Sequence, residues 1–258
     1  MTKTLVTMGR GGTGKTSFVA MQAKFLLDQN DKPLLLVDVD PDQNLAEMVG
    51  VDLEKEGVQT IAELVSDTFI RKGGTMTGIA PTERIENRVL RDGLYEGNSF
   101  DLIAVGTKWI EGCYCMPDAA LKGALDTLAK NYRYVLVDSP AGLEHLNRKV
   151  TASVSDIFDI MGPSHKSFAH VKRAERVARE VGITFDRFFV IGGCLFPEGL
   201  DSRVEEETGR PYLGKIVFDP LVQESVMAGK SLLDIPAGSL GYRSVCTLME
   251  KAGYKKSQ

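Results

Sequence analysis

Residues 9–16 read Gly-Arg-Gly-Gly-Thr-Gly-Lys-Thr. The apolar run Leu5-Val6-Thr7-Met8 precedes them. A helical pattern follows, with Phe18, Met21 and Phe25 three and four apart. Glycines between a strand and a helix let backbone N–H groups turn inward around phosphate oxygens, and the helix start adds positive potential. In such a loop Lys15 reaches the β and γ phosphates of a nucleotide, and the Thr16 hydroxyl binds Mg²⁺. Gly11, Gly12, Thr13, Gly14 and Ser17 complete the expected cradle. The chain has no Asn-Lys-x-Asp or Thr-Lys-x-Asp segment to read guanine, so ATP and ADP are the expected nucleotides.

Two acidic segments end later apolar runs: Val37-Asp38-Val39-Asp40-Pro41 and Val137-Asp138-Ser139-Pro140-Ala141-Gly142. Acids at the carboxyl ends of strands sit where open α/β sheets bind ligands. The same acids can cap helices, and Asp40-Pro41 can start a turn. A third feature is Cys113 and Cys115, two apart, ahead of Pro117-Asp118 at the start of a helical pattern. A helix N-terminus favours thiolates. One chain supplies two sulfurs, half of a tetrahedral set, and a two-fold dimer supplies four. Four thiolates suit tetrahedral Zn²⁺, planar Ni²⁺ or an iron–sulfur cluster, and the residues alone leave these open. Cys194 and Cys246 stand alone and are expected in the core.

The run Arg10 to Thr16 resembles the deviant phosphate loop of the partition, septum-site and nitrogenase-iron-protein ATPases, the MinD/ParA class. That class has Lys where this chain has Arg10, and there the residue reaches the partner subunit's nucleotide. The resemblance implies Arg10 as a trans-acting cation, with a guanidinium fork suited to phosphate. It implies that Asp40 orients or deprotonates the attacking water. It places Asp38 and Asp138 near Mg²⁺, acting through its waters, and makes Gly142 the N–H that senses the γ-phosphate. Lys15, Asp40 and Arg10 are thus the expected catalytic set.

With Cys113, Cys115, Pro117 and Ala119-Ala120-Leu121 added, the chain resembles the CooC-type accessory ATPases of carbon monoxide dehydrogenase maturation. This implies a homodimer that binds Ni²⁺ or Zn²⁺ at the shared Cys113 and Cys115. The implied client is carbon monoxide dehydrogenase, or its complex with acetyl-CoA synthase, and the implied service is nickel insertion. Two other readings are a MinD/ParA-like positioning ATPase on DNA or membrane, and an electron-transfer ATPase with a bridging iron–sulfur cluster.

The elements that must hold these groups alternate. Apolar runs at 5–8, 33–38, 100–105, 134–138, 155–161, 188–191 and 212–217 read as strands. Helical patterns fall at 16–29, 117–131, 168–181, 199–209, 220–229 and 240–252, and residues 44–92 look mainly helical. Continuous apolar strands between helices predict a parallel sheet covered on both faces. The expectation is one α/β P-loop NTPase domain over 1–258, with a mostly parallel sheet of about seven strands.

The chain has 258 residues, 43% of them hydrophobic, which fits one domain with a full core. A net charge of −4 argues against coating nucleic acid or anionic lipid, so neither is an expected partner. No apolar run approaches the ~18 residues of a membrane span. Met1-Thr2-Lys3-Thr4 does not open a signal peptide. Four cysteines in this length make no disulfide framework, and a reducing cytoplasm is expected. Lys166, Lys172, Arg173, Arg176 and Arg179 read as the solvated face of one helix, and His145, His165 and His170 as surface or packing residues. Trp109 is expected to pack under the cysteine loop or at a dimer interface.

Overall fold

Strand β1 (Lys3–Gly9) runs between two parallel neighbours, β5 (Tyr134–Asp138) and β6 (Ser153–Met161). The computed structural model describes residues 2–68, 81–107, 115–141 and 153–254, and for 81–84 and 115–118 the backbone only. Beyond β5 lie β2 (Leu34–Asp38), β4 (Asp101–Ala104) and β3 (Tyr95–Glu96). Beyond β6 lie β7 (Thr184–Gly192) and β8 (Tyr212–Lys215). Every pairing is parallel except β3 with β4. All five residues of β2 and all five of β5 are buried, as strands covered on both faces require.

The sheet therefore has eight strands, one more than the sequence pattern predicts. The addition is the two-residue β3, too short to leave a periodic signal. The 44–92 segment resolves into α2 (Asn44–Met48), α3 (Ile61–Ser66) and α4 (Pro81–Asp92), with residues 69–80 outside the described set. Helix α5 spans Cys115–Leu128, so it begins two residues before the expected Pro117 and takes Cys115 as its first residue. The remaining helices are α6 (Lys166–Glu180), α7 (Asp201–Thr208), α8 (Pro220–Met227) and α9 (Leu240–Lys251).

Helix α1 (Lys15–Asp28) lies on one sheet face with α2 and α9. Phe18 packs on Phe158, and Phe158 stacks on Phe189, with centroids 5.7 and 5.6 Å apart. The other face is covered by α3 to α7, through residues such as Leu64, Leu121, Val171 and Val204. On α6 the basic residues Lys166, Lys172, Arg173, Arg176 and Arg179 are exposed, while Phe168, Val171, Ala174 and Ala178 are buried.

Register decides what meets at the carboxyl edge. Asp38 of β2 pairs in register with Asp138 of β5, which also lies level with Thr7 of β1. Gly9 ends β1 at φ +144°, and a Cβ there would stand 2.5 Å from the Ile160 carbonyl oxygen of β6. Only glycine allows β1 to pass that strand so closely as it enters the loop. Asp159, next to Ile160, is wholly buried and its carboxyl is pushed up to about 7, mainly by burial, with the Lys15 charge pulling it down.

Two stability outcomes follow from this edge. Gly9→Ala should destabilise the chain by ~1–3 kcal/mol in urea unfolding, and a neutral result would contradict the close approach. For Asp159 the folded carboxyl holds its proton to about 7, whereas the unfolded one loses it near 3.8. That contribution to stability therefore falls as pH rises from about 4 to about 7. Asp159→Asn should gain on the wild type between pH 5 and pH 8 in the same assay, and an equal change in both would contradict it.

Candidate functional site

The loop from Gly9 to Gly14 is built by its glycines. Gly12 and Gly14 hold φ of +74° and +90° with open space where a Cβ would stand, so backbone conformation alone demands glycine there. Gly14 also precedes α1 and leaves it without a side-chain cap, and its first turn has no acidic residue. The leading N–H groups of α1 thus keep their capacity for an outside acceptor. Within the loop the Arg10 carbonyl accepts from Thr13 Oγ1 at 2.9 Å and from Lys15 Nζ at 3.4 Å. Lys15 is folded inward and buried, while Thr16 and Ser17 are half-buried. Arg10 points outward, exposed, and donates from Nη1 to Ser164 Oγ at 3.2 Å.

The two strand-end acids differ. Asp38 is buried and accepts from the Asp40 N–H at 3.0 Å and the Leu45 N–H at 2.9 Å, which shapes the turn into α2. Burial raises its carboxyl well above the usual range, and the charge of Asp138 adds to this against those two N–H donors. Asp138 is buried, and neither of its oxygens has a hydrogen-bond partner among the described residues. Burial pushes it up to about 7, and the nearby Thr16 hydroxyl and Lys15 charge pull the other way. Asp40 is half-buried and accepts from the Asp42 N–H at 3.1 Å, the local turn its Asp-Pro sequence allows.

A buried carboxylate without a donor, beside a hydroxyl at a helix start, has the ligand chemistry of a Mg²⁺ site. Two adjacent carboxyls repel phosphate unless a cation stands between them, so the residues fit a magnesium-bound nucleotide better than a bare one. Thr16 would be the direct ligand, with Asp38 and Asp138 reaching the ion through its waters.

A cavity of about 300 Å³ opens beside Thr13, Gly14 and Ser17. Its walls are apolar, from Met21, Ile216, Phe218, Val222 and Val226, and the side chains of Phe218 and Met227 stand exposed at 51% and 81%. None of the residues of α8 is buried. Asp219 caps α8 through the Leu221 N–H and receives the Gly241 N–H and the Ser239 hydroxyl, so one carboxylate ties the starts of α8 and α9 together. Sequence reading passed over this cavity. The signal it left is Val222 and Val226, four apart, on a helix with no fully buried residue.

Cys194 lines the same cavity and is half-buried, which corrects its expected core placement. It follows Gly193, where a Cβ would stand 2.8 Å from the Thr13 carbonyl oxygen, so the chain is drawn against the phosphate loop there. Cys246 is half-buried against the α1 core. His165 is exposed near Phe168, and His170 is half-buried with its Nε2 unpartnered. Burial lowers the His170 pKa, and Arg10, Arg173 and Lys15 add to the effect. Cys113, Gly142, Trp109 and His145 lie outside the described residues, and for Cys115 only the backbone is described. Among the described residues no group of three or more His, Cys, Asp or Glu side chains is placed to hold a metal. Among them, too, no helix is long and apolar enough to cross a membrane.

Comparison with known proteins extends the geometry. The AAA domain family matches residues 2–167. An uncharacterized ATP-binding protein of Methanocaldococcus jannaschii is 30% identical over 96% of this chain and 97% of its own length. The carbon monoxide dehydrogenase accessory protein CooC of Rhodospirillum rubrum is 26% identical over 95% of each. Among solved structures, the septum site-determining protein MinD of Pyrococcus horikoshii, complexed with Mg-ADP, superposes at a TM-score of 0.68 with 19% identity, covering 98% of this chain and 97% of that one. A ParA family ATPase from Chlorobium tepidum superposes at 0.67 with 18% identity, covering 95% and 96%. The chain belongs to the AAA domain family and is a P-loop ATPase with the MinD/ParA fold.

Proposed function

We propose that this ATPase is a dimeric maturation factor that holds a metal at an intersubunit Cys113/Cys115 site and assists nickel insertion into carbon monoxide dehydrogenase or its acetyl-CoA synthase complex. The observation that carries the reading is the 26% identity to CooC over 95% of both chains, in a sequence that also has Cys113-x-Cys115 at the head of α5. Two chains supply four thiolates, a full set for Ni²⁺ or Zn²⁺.

The nucleotide half of the proposal uses the carboxyl edge. Lys15 and the loop N–H groups take the phosphates, and the cavity beside Thr13 takes the base against Met21, Ile216 and Phe218. Thr16, with Asp38 and Asp138, holds Mg²⁺, which neutralises charge between the phosphates and the carboxyls. Asp40 orients the attacking water. Gly142 senses the γ-phosphate. Arg10, exposed in one chain, serves the nucleotide of its partner. ATP then favours the closed dimer and hydrolysis reopens it, so the thiolate geometry follows the nucleotide state. A positioning role on DNA or membrane would leave the cysteine pair without use.

Asp40→Ala should still bind ATP while turnover falls about a hundredfold or more, measured by phosphate release beside nucleotide titration. Wild-type turnover in that variant removes its assigned role. Replacing Cys113 and Cys115 together with Ser should abolish stoichiometric Ni²⁺ or Zn²⁺ binding and leave ATP binding intact. One metal retained per two chains would refute the shared site.

A further inference from the structure

We propose that Asp219 is a positioning residue that sets the affinity for the nucleoside part of the nucleotide apart from its phosphates, by fixing the starts of α8 and α9 as one wall of the cavity beside Thr13. The inference rests on the reading that places the base in that cavity.

The cavity is lined from two parts of the chain. Thr13, Gly14, Ser17 and Met21 come from the phosphate loop and α1. Asp219, Val222 and Val226 come from α8 and its cap, and Gly241 from α9. Met21 is buried in the core, whereas α8 has eight residues and none of them fully buried. A helix this short has little stability of its own, so its place depends on ties to its neighbours.

Those ties converge on Asp219, which is itself buried. One carboxyl oxygen accepts from the Leu221 N–H at 2.9 Å and caps α8. The other accepts from the Gly241 N–H at 3.0 Å and from the Ser239 hydroxyl at 2.5 Å. Ser239 in turn accepts from the Tyr242 N–H at 3.1 Å and caps α9. Helix α9 is anchored, because Tyr242, Val245, Leu248 and Met249 are buried in the core that also holds α1. Helix α8 thus takes its position from α9 through one carboxylate. The approach is close as well: a Cβ on Gly241 would stand 2.9 Å from Val222 Cγ2. Burial works against ionisation of Asp219, yet Ser239, Gly241 and Leu221 outweigh it and hold the carboxyl below its ordinary range. None of these bonds involves Gly12, Gly14, Lys15 or Thr16, so the phosphate cradle is built without them. A wall left unfixed must be ordered by the base as it binds, which costs affinity for the nucleoside and not for the phosphates.

The test titrates Mg-ADP and Mg-pyrophosphate into wild type, Asp219→Ala, Asp219→Asn and Val226→Trp by calorimetry, with folding followed by circular dichroism. Asp219→Ala should bind ADP about tenfold more weakly and pyrophosphate within about twofold of wild type. Asp219→Asn keeps the shape and one acceptor oxygen, so it should lose about threefold for ADP alone. It carries the expectation if the Ala variant fails to fold. Val226→Trp, which fills the cavity from its exposed rim, should weaken ADP about tenfold and spare pyrophosphate. Equal weakening of ADP and pyrophosphate by the Asp219 variants overturns the proposal, since the loss would then be general. Unchanged ADP binding in folded Asp219→Ala, with Val226→Trp weakened, overturns the role of Asp219 alone. If Val226→Trp binds ADP as the wild type does, the base does not sit in the cavity, and the proposal falls with that reading.

Discussion

Uncompensated charge at the carboxyl edge of the sheet is the constraint on which this structure turns. Asp38, Asp138 and Asp159 are all buried there, and Lys15, the first residue of α1, is buried as well. Parallel register forces Asp38 and Asp138 to end level on adjacent strands. An isolated ionised carboxylate in the interior costs several kcal/mol, so burial raises all three carboxyls above their ordinary range. Asp38 relieves its share with two backbone donors, whereas Asp138 and Asp159 have none among the described residues. An arrangement so short of cations is suited to receive one together with an anionic ligand.

The surrounding backbone serves that edge. Gly9 lets β1 pass within touching distance of β6, and Gly193 brings the end of β7 against Thr13. The loop is thereby clamped from the β6–β7 side while its N–H groups stay free on the other. Asp219 fixes the starts of α8 and α9, which sets the apolar wall of the neighbouring cavity. The phosphate cradle and the apolar cavity are adjacent because Thr13 and Gly14 border both.

Much of this was legible in the chain itself. The loop from Gly9 to Thr16 is read locally, since its glycines, lysine and threonine are contiguous. The buried strands 34–38 and 134–138 are continuous apolar runs, and such runs mark central parallel strands whatever their partners. What escaped is what depends on contacts far apart in sequence. The cavity joins residues near 13–21 to residues near 216–227, and no spacing rule links them. Strand β3 exists only because Tyr95 and Glu96 meet Leu102 and Asp101. Asp159 did leave a mark, as a single acid within Ile157-Phe158-Asp159-Ile160, but its burial depends on β1 and β7 closing over it. The sequence pattern starts α5 two residues late, because Pro117 reads as the opening residue of a helix and here sits third.

In the proposed dimer two sites are each divided between two chains. Arg10 is exposed and donates to Ser164 Oγ, while the proposal gives the nucleotide of the same chain to Lys15. Cys113 and Cys115 supply two of the four thiolates that the proposed metal site calls for. In that proposed dimer a second copy completes both features. The most direct measurement is subunit complementation, in which inactive Arg10→Ala chains are mixed with inactive Asp40→Ala chains and ATP turnover is followed. If Arg10 acts across the dimer, each mixed dimer regains one intact site, and an equal mixture recovers about a quarter of the wild-type rate. No recovery at any ratio, with mixed dimers present, would contradict the shared site.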